Sequence, residues 1–279
     1  MASFDFVKAT LDGYRFAWAR RADLIKFSIP VVFVSVFCNL MVIYTGAEEN
    51  ALREGLILLP AFFAQGLFVA ELVRYTLYDE PFILWGYTRR SHLEEFTELY
   101  RERQLDTERK RHVQGGMVIF VLVSIINSVL RGLSGPLAEG GEDSPASSPA
   151  LEDFPVFVFQ SAIVAVILLV ALWFVRVGFL YIGFSAGYGI KAYFKKLKGL
   201  SSSVSLFLCA FMIFFLMAVP LALIYGFLGQ ILAESPGIKV VSLVVFGEMS
   251  KVLAQVVTTI GCSYGVREMM EVNSRSRLD

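Results

Sequence analysis

Glu248, Lys251 and Gln255 stand three and four residues apart inside an otherwise apolar run over 239–263. On a helix that spacing puts all three on one face. A charged side chain at the centre of a membrane helix costs about 2.5–3.5 kcal/mol on insertion scales, so such a residue marks a functional site by default. Pairing Glu248 with Lys251 lowers that cost and leaves a polar face toward the bundle interior. Three roles follow from the same residues: an ion pair that fixes helix register, a site that transports an ion or moves a proton, and a contact between subunits. Counting depth along the apolar runs adds Asn39, Gln65, Asn127, Gln160 and Gln230 to the same half of the membrane, with Arg131 near the outer surface. Asn127 and Glu248 come out level. Converging faces would line a polar vestibule, yet ordinary interhelical hydrogen bonds, worth about 0.6 kcal/mol on average, use the same residue types.

A second charged group is Glu71 with Arg74, three residues apart near the opposite boundary, joined at similar depth by Arg176. Together they form either an interfacial ring of charge or separate side chains reaching the headgroups. Gly183 and Gly187, and Gly226 near Gly229, offer close helix approach.

Other chemistry lacks residues to carry it. The sequence contains no P-loop, no dinucleotide glycine fingerprint immediately after a strand, no HExxH and no CxxC. Cys38, Cys209 and Cys262 lie in apolar runs and read as small hydrophobes. His92 and His112 both fall in one charged connection, so an intramembrane haem finds no ligand. The expectation is a protein that is not an enzyme and holds no cofactor and no metal. Twenty-five basic residues against 25 acidic ones leave no net field for nucleic acid.

The elements that position these residues are membrane helices. Charged residues make up 18% of the chain, against about a quarter in soluble domains. The apolar residues cluster in runs long enough to cross a bilayer, about 20 residues each. These runs predict an all-α polytopic bundle of six spans, at 24–45, 53–77, 115–134, 155–182, 203–232 and 239–263. Pro30, Pro60 and Pro220 fall inside three of them, where kinks are expected. Before the first span, Phe4, Val7, Leu11, Tyr14 and Trp18 recur at helical spacing, which reads as an amphipathic helix over 1–23 in the membrane interface.

Lysine and arginine decide the orientation. They crowd the N-terminal segment, the connection over 79–114, the connection at Lys191–Lys198 and the tail over 264–279, and none occurs between Gly135 and Pro155. By the positive-inside rule both termini are cytoplasmic. The 79–114 connection includes a charged helix over 88–112 with a stripe of Leu93, Phe96, Leu99 and Tyr100. The acidic outer connection over 135–155, rich in Gly, Pro and Ser, reads as flexible.

An internal echo joins Val73-Arg74-Tyr75-Thr76-Leu77 to Val175-Arg176-Val177-Gly178-Phe179. In each, a span ends in arginine and leads through an aromatic, basic segment into the next. From Trp173 to Phe214, and more weakly from Phe68 to Arg90, this pattern resembles uncharacterised six-span inner-membrane proteins of bacteria. It is also similar to the membrane domain attached to some glycerophosphodiesterases. The resemblance implies a bacterial inner-membrane protein with a lipid or envelope role and brings no catalytic residues. The function expected is that of a non-catalytic accessory or scaffold subunit, in contact with the lipid bilayer and with other membrane proteins or copies of itself. The alternative is a small transporter or channel built on Glu248 and Lys251.

Overall fold

In a computed structural model, which describes residues 4–80, 82, 107–139, 170, 172–232 and 236–275, the chain is all-α. Among the described residues there are eight α-helices, a single 3-10 turn and no strand. They are α1 (Phe6–Ala19), α2 (Arg21–Tyr44), α3 (Ala51–Tyr78), α4 (Thr107–Glu139), α5 (Leu180–Ser185), α6 (Ile190–Lys196), α7 (Leu200–Ile231) and α8 (Pro236–Arg275). Five helices are long and apolar enough to cross a membrane: Arg21–Tyr44, Ala51–Tyr78, Thr107–Val129, Leu200–Ile231 and Gly237–Glu271. The span expected at 155–182 falls largely on residues outside the described set, and its described part is the shorter apolar run Leu172–Ser185. Pro30, Pro60 and Pro220 all sit within unbroken helices.

Local chemistry accounts for the helix ends. Asp5 accepts from the backbone N–H groups of Val7 and Lys8, and Asn50 from those of Leu52 and Arg53. Each such cap is worth about 1 kcal/mol. Gly46, with φ +61°, takes the left-handed conformation that lets the chain reverse between α2 and α3. Two helices run well beyond their expected spans. α4 begins at Thr107 and continues to Glu139, taking eight residues from the expected basic connection and five from the acidic one, and α8 runs on to Arg275. Thr107–Gln114 is rich in Glu, Lys and Arg, good helix formers that carry a helix beyond the lipid. The stripe over 88–106 and the residues 140–155 lie outside the described set.

α1 lies on the C-terminal part of α8, so the two ends of the described chain meet at one end of the bundle, here called the basal end. Phe4, Gly13 and Phe16 all touch α8 between Val257 and Gly265. The closest contact is glycine on glycine. A Cβ placed on Gly13 would stand 3.0 Å from the Cα of Gly261, and one on Gly265 would stand 2.4 Å from the Phe4 ring. The docked face is made of small residues, Ala9, Thr10 and Gly13, while Val7, Leu11 and Trp18 are left exposed. Lipid is as apolar as leucine, so close van der Waals approach and hydrogen bonds hold such contacts in place of the hydrophobic effect. Ala9 and Gly13, like Gly261 and Gly265, stand four apart in the sequence, a signal the apolar stripe obscures.

Candidate functional site

The basal end is held by arginines. α3 ends at Asp79, whose backbone takes the left-handed conformation at φ +52°, and this reversal returns Glu80 to its own helix. There Arg74 donates to both Glu80 oxygens, at 2.8 Å each, and Nε of Arg109 from α4 reaches Oε2 at 2.9 Å. All three side chains are mostly buried, with exposures of 12% for Arg74, 6% for Arg109 and 24% for Glu80. Arg74 also donates to the Ser185 carbonyl and Tyr78 to that of Ala186, tying α3 to the end of α5. Arg176 is buried elsewhere: it donates to Ser203 Oγ and, at 2.6 Å, to the Gly199 carbonyl, while the Tyr193 hydroxyl donates to the Arg176 carbonyl. Burial pushes the Tyr193 phenol well above its ordinary range, which keeps it a donor. Arg74 and Arg176 therefore hold separate interhelical joints, and Glu71 is buried one turn before Arg74. Glu80 and Arg109 were not among the sequence candidates, because a left-handed turn between Arg74 and Glu80 erases any helical spacing.

The interfacial residues divide. Phe4 is buried against Gly265, and Tyr14 donates to the Ile213 carbonyl at 3.1 Å. Val7, Leu11 and Trp18 face outward, and Arg21 stacks over the Trp18 ring at 5.0 Å. Beside α1, a cleft of about 390 Å³ is lined by Lys8, Asp12, Tyr264, Arg267, Glu268 and Glu271. Its strongest cation is already engaged, Arg267 donating to Glu271 at 2.6 Å.

Near the middle of α8 lies the other polar group. Glu248 is buried at 8% exposure, whereas the Lys251 side chain is 52% exposed. Lys251 Nζ stands 3.5 Å from Glu248 Oε1, beyond the 2.7–3.2 Å of a good N–H···O bond. Glu248 Oε2 is buried with no hydrogen-bond partner among the described residues. Cys38 of α2 is near enough to Glu248 for an electrostatic contact. One turn earlier on α2, Ser35 Oγ accepts from Gln65 of α3 at 2.9 Å, and Asn39 donates to the Ser35 carbonyl. Gln255 is half-buried on the Glu248 face of α8. Further along that face Thr259 meets the Tyr181 hydroxyl at 3.3 Å.

Asn127 and Gln230 are exposed, and no hydrogen bond among the described residues joins them to this group. Arg131 belongs to the later turns of α4, and Gln160 lies outside the described set. Of the glycine pairs, Gly183 packs on Tyr193, Gly187 turns the chain at φ +86°, and Gly226 and Gly229 face open space.

Comparison with models of known families, with curated proteins and with solved structures finds no match to this chain. The functional reading rests on the geometry.

Proposed function

We propose that this chain is a non-catalytic accessory or scaffold subunit of a membrane assembly, placed in the bacterial inner membrane. It has six spans, both termini in the cytoplasm, and α1 in the inner interface. The distribution of lysine and arginine supports the orientation. The exposed stripe of Val7, Leu11 and Trp18 supports the interfacial placement.

One observation carries the assembly reading. Beyond Met217, α7 buries none of its residues, and 222–227 are exposed without interruption. Six consecutive residues exceed a full helical turn, so among the described residues this part of α7 is covered only in part, at Leu221 and where Tyr225 meets Phe246. Gly226 and Gly229 there, and Gly247 on α8, meet nothing within 4 Å of a Cβ position. A helix so thinly covered among the described residues, carrying open glycines, suits close packing by another membrane helix. The test is gentle detergent extraction from native membranes, then size analysis and mass spectrometry. Co-migration with other membrane proteins at fixed stoichiometry is the expected result; a chain that runs alone overturns the reading.

A second reading, a small transporter or channel, rests on Glu248 Oε2, a buried carboxylate oxygen without a donor among the described residues. It expects Lys251→Met to abolish flux in proteoliposomes while the protein still folds.

A further inference from the structure

The cleft of about 390 Å³ between α1 and the basal end of α8 carries charges of both signs. Arg267 spends its Nε on Glu271, and no hydrogen bond among the described residues uses its terminal nitrogens. Lys8 and Glu268, both exposed, form no ion pair among the described residues. Asp12 is half-buried, and its one ion-pair contact among the described residues is Arg15 at 3.8 Å, a side chain 79% exposed. The cleft thus presents a lysine and the free end of an arginine beside two carboxylates, with little pairing between them.

What lies beside these charges is apolar. Lys8 and Asp12 stand four residues apart and share one face of α1. Val7 and Leu11 keep the same spacing one residue earlier, so an exposed apolar row runs alongside the charged one. Two such rows fit an amphiphile lying along α1. The charges narrow its head. An anion alone would face the carboxylates of Asp12, Glu268 and Glu271, and an ammonium alone would leave Lys8 without an acceptor. A phosphate joined to a primary ammonium meets both needs through charge-assisted hydrogen bonds. A primary ammonium has three N–H donors, as lysine has, whereas a quaternary one has none.

Building on the interfacial placement of α1, we propose that this cleft binds the headgroup of an aminophospholipid of the cytoplasmic leaflet. The phosphate takes Lys8 and the terminal nitrogens of Arg267, the ammonium takes Asp12 and Glu268, and the acyl chains lie over Val7 and Leu11. Held in this way, the lipid bridges α1 to α8.

The experiment offers the full chain, purified in detergent, equal amounts of phosphatidylethanolamine, phosphatidylcholine and phosphatidylglycerol, and counts the retained lipids by native mass spectrometry. Expected is retention of phosphatidylethanolamine about fivefold or more above the other two, the scale of one or two exposed ion pairs. Asp12→Asn combined with Glu268→Gln should bring the three lipids within about twofold of one another. Lys8→Gln should lower retention of phosphatidylethanolamine, and Lys8→Arg should keep it. Unchanged helicity and elution volume separate a lost site from a lost fold. Soluble phosphoethanolamine at the same concentration is expected to leave the lipid in place; displacement by it would assign the cleft to a free zwitterion and overturn the lipid as occupant. Equal retention of the three lipids overturns the proposal, as does a preference that survives the Asp12 and Glu268 substitutions. The placement of α1 is read separately, from quenching of fluorescence by brominated phospholipid in the parent protein against Trp18→Phe. Where Trp18 is quenched and the lipid preference is absent, only the cleft assignment fails. Where Trp18 is not quenched, the interfacial placement fails with it.

Discussion

The two halves of α7 and α8 are built to different rules. Toward the basal end both helices are packed on several sides. α7 buries residues from Ser202 to Met217, and α8 from Glu248 through Val252 to Met270. Every glycine at these contacts touches a neighbour: Gly261 would drive a Cβ to 2.8 Å from Ile213, and Gly265 into Phe4. Toward the far end the same helices expose Leu223, Phe227, Ile231 and Ile238, and their glycines face empty space. Apolar residues fill both halves, so hydrophobicity does not distinguish them. In lipid it has no reason to. What differs is close backbone approach and polar joints, the forces that associate helices where water is absent. The contrast marks the basal end as the more closely joined part of these two helices among the described residues.

The sharpest way to break this comparison is to remove the charge at the centre of the basal end. Glu80→Ala leaves the Arg74 and Arg109 guanidiniums together without their shared carboxylate, and a loss of about 3–5 kcal/mol is expected. Cys38, Cys209 and Cys262 are all buried, so a thiol-reactive fluorophore in detergent reports unfolding directly. A midpoint unchanged from the parent protein would mean that the cluster does not hold the bundle together.

Overfilling a basal glycine comes next. A Cβ on Gly116 would stand 2.0 Å from Ser185 Oγ, so Gly116→Leu should cost about 1–3 kcal/mol by the same assay. Removing one polar joint is milder. Tyr78→Phe deletes the 2.6 Å bond to the Ala186 carbonyl, and about 0.5–1.5 kcal/mol is expected.

The smallest effect sharpens the other side of the contrast. Gly226→Leu fills open space, so stability of the isolated protein should stay within about 0.5 kcal/mol, as for surface substitutions. Its co-purification with other membrane proteins should fall. A stability loss comparable to that of Gly116→Leu would show that both ends are packed alike.

Some of this was legible and some was not, for reasons that specific residues make plain. A run such as Leu206–Ile231 declares a membrane helix by composition alone, because crossing the hydrocarbon demands length and apolarity and little else. The shared face of Glu248, Lys251 and Gln255 was equally readable, since helical periodicity is local. The docking face of α1 was misleading. Phe4, Val7, Leu11, Tyr14 and Trp18 make the more obvious stripe, yet of these only Phe4 and Tyr14 join the docked side, beside Ala9, Thr10 and Gly13, whose small size lets backbones approach.

By itself the sequence determined an all-helical membrane chain, with its apolar runs and the sorting of its charges, since these depend on residues near one another. Only the tertiary structure decided that Arg74 and Arg109 share Glu80, that Arg176 joins α7 instead, and that Glu248 is buried while Lys251 is half exposed. Each of these depends on which helix faces which. In a bilayer that choice is made by glycine contacts and turn geometry between residues far apart in the chain, and no local period records it.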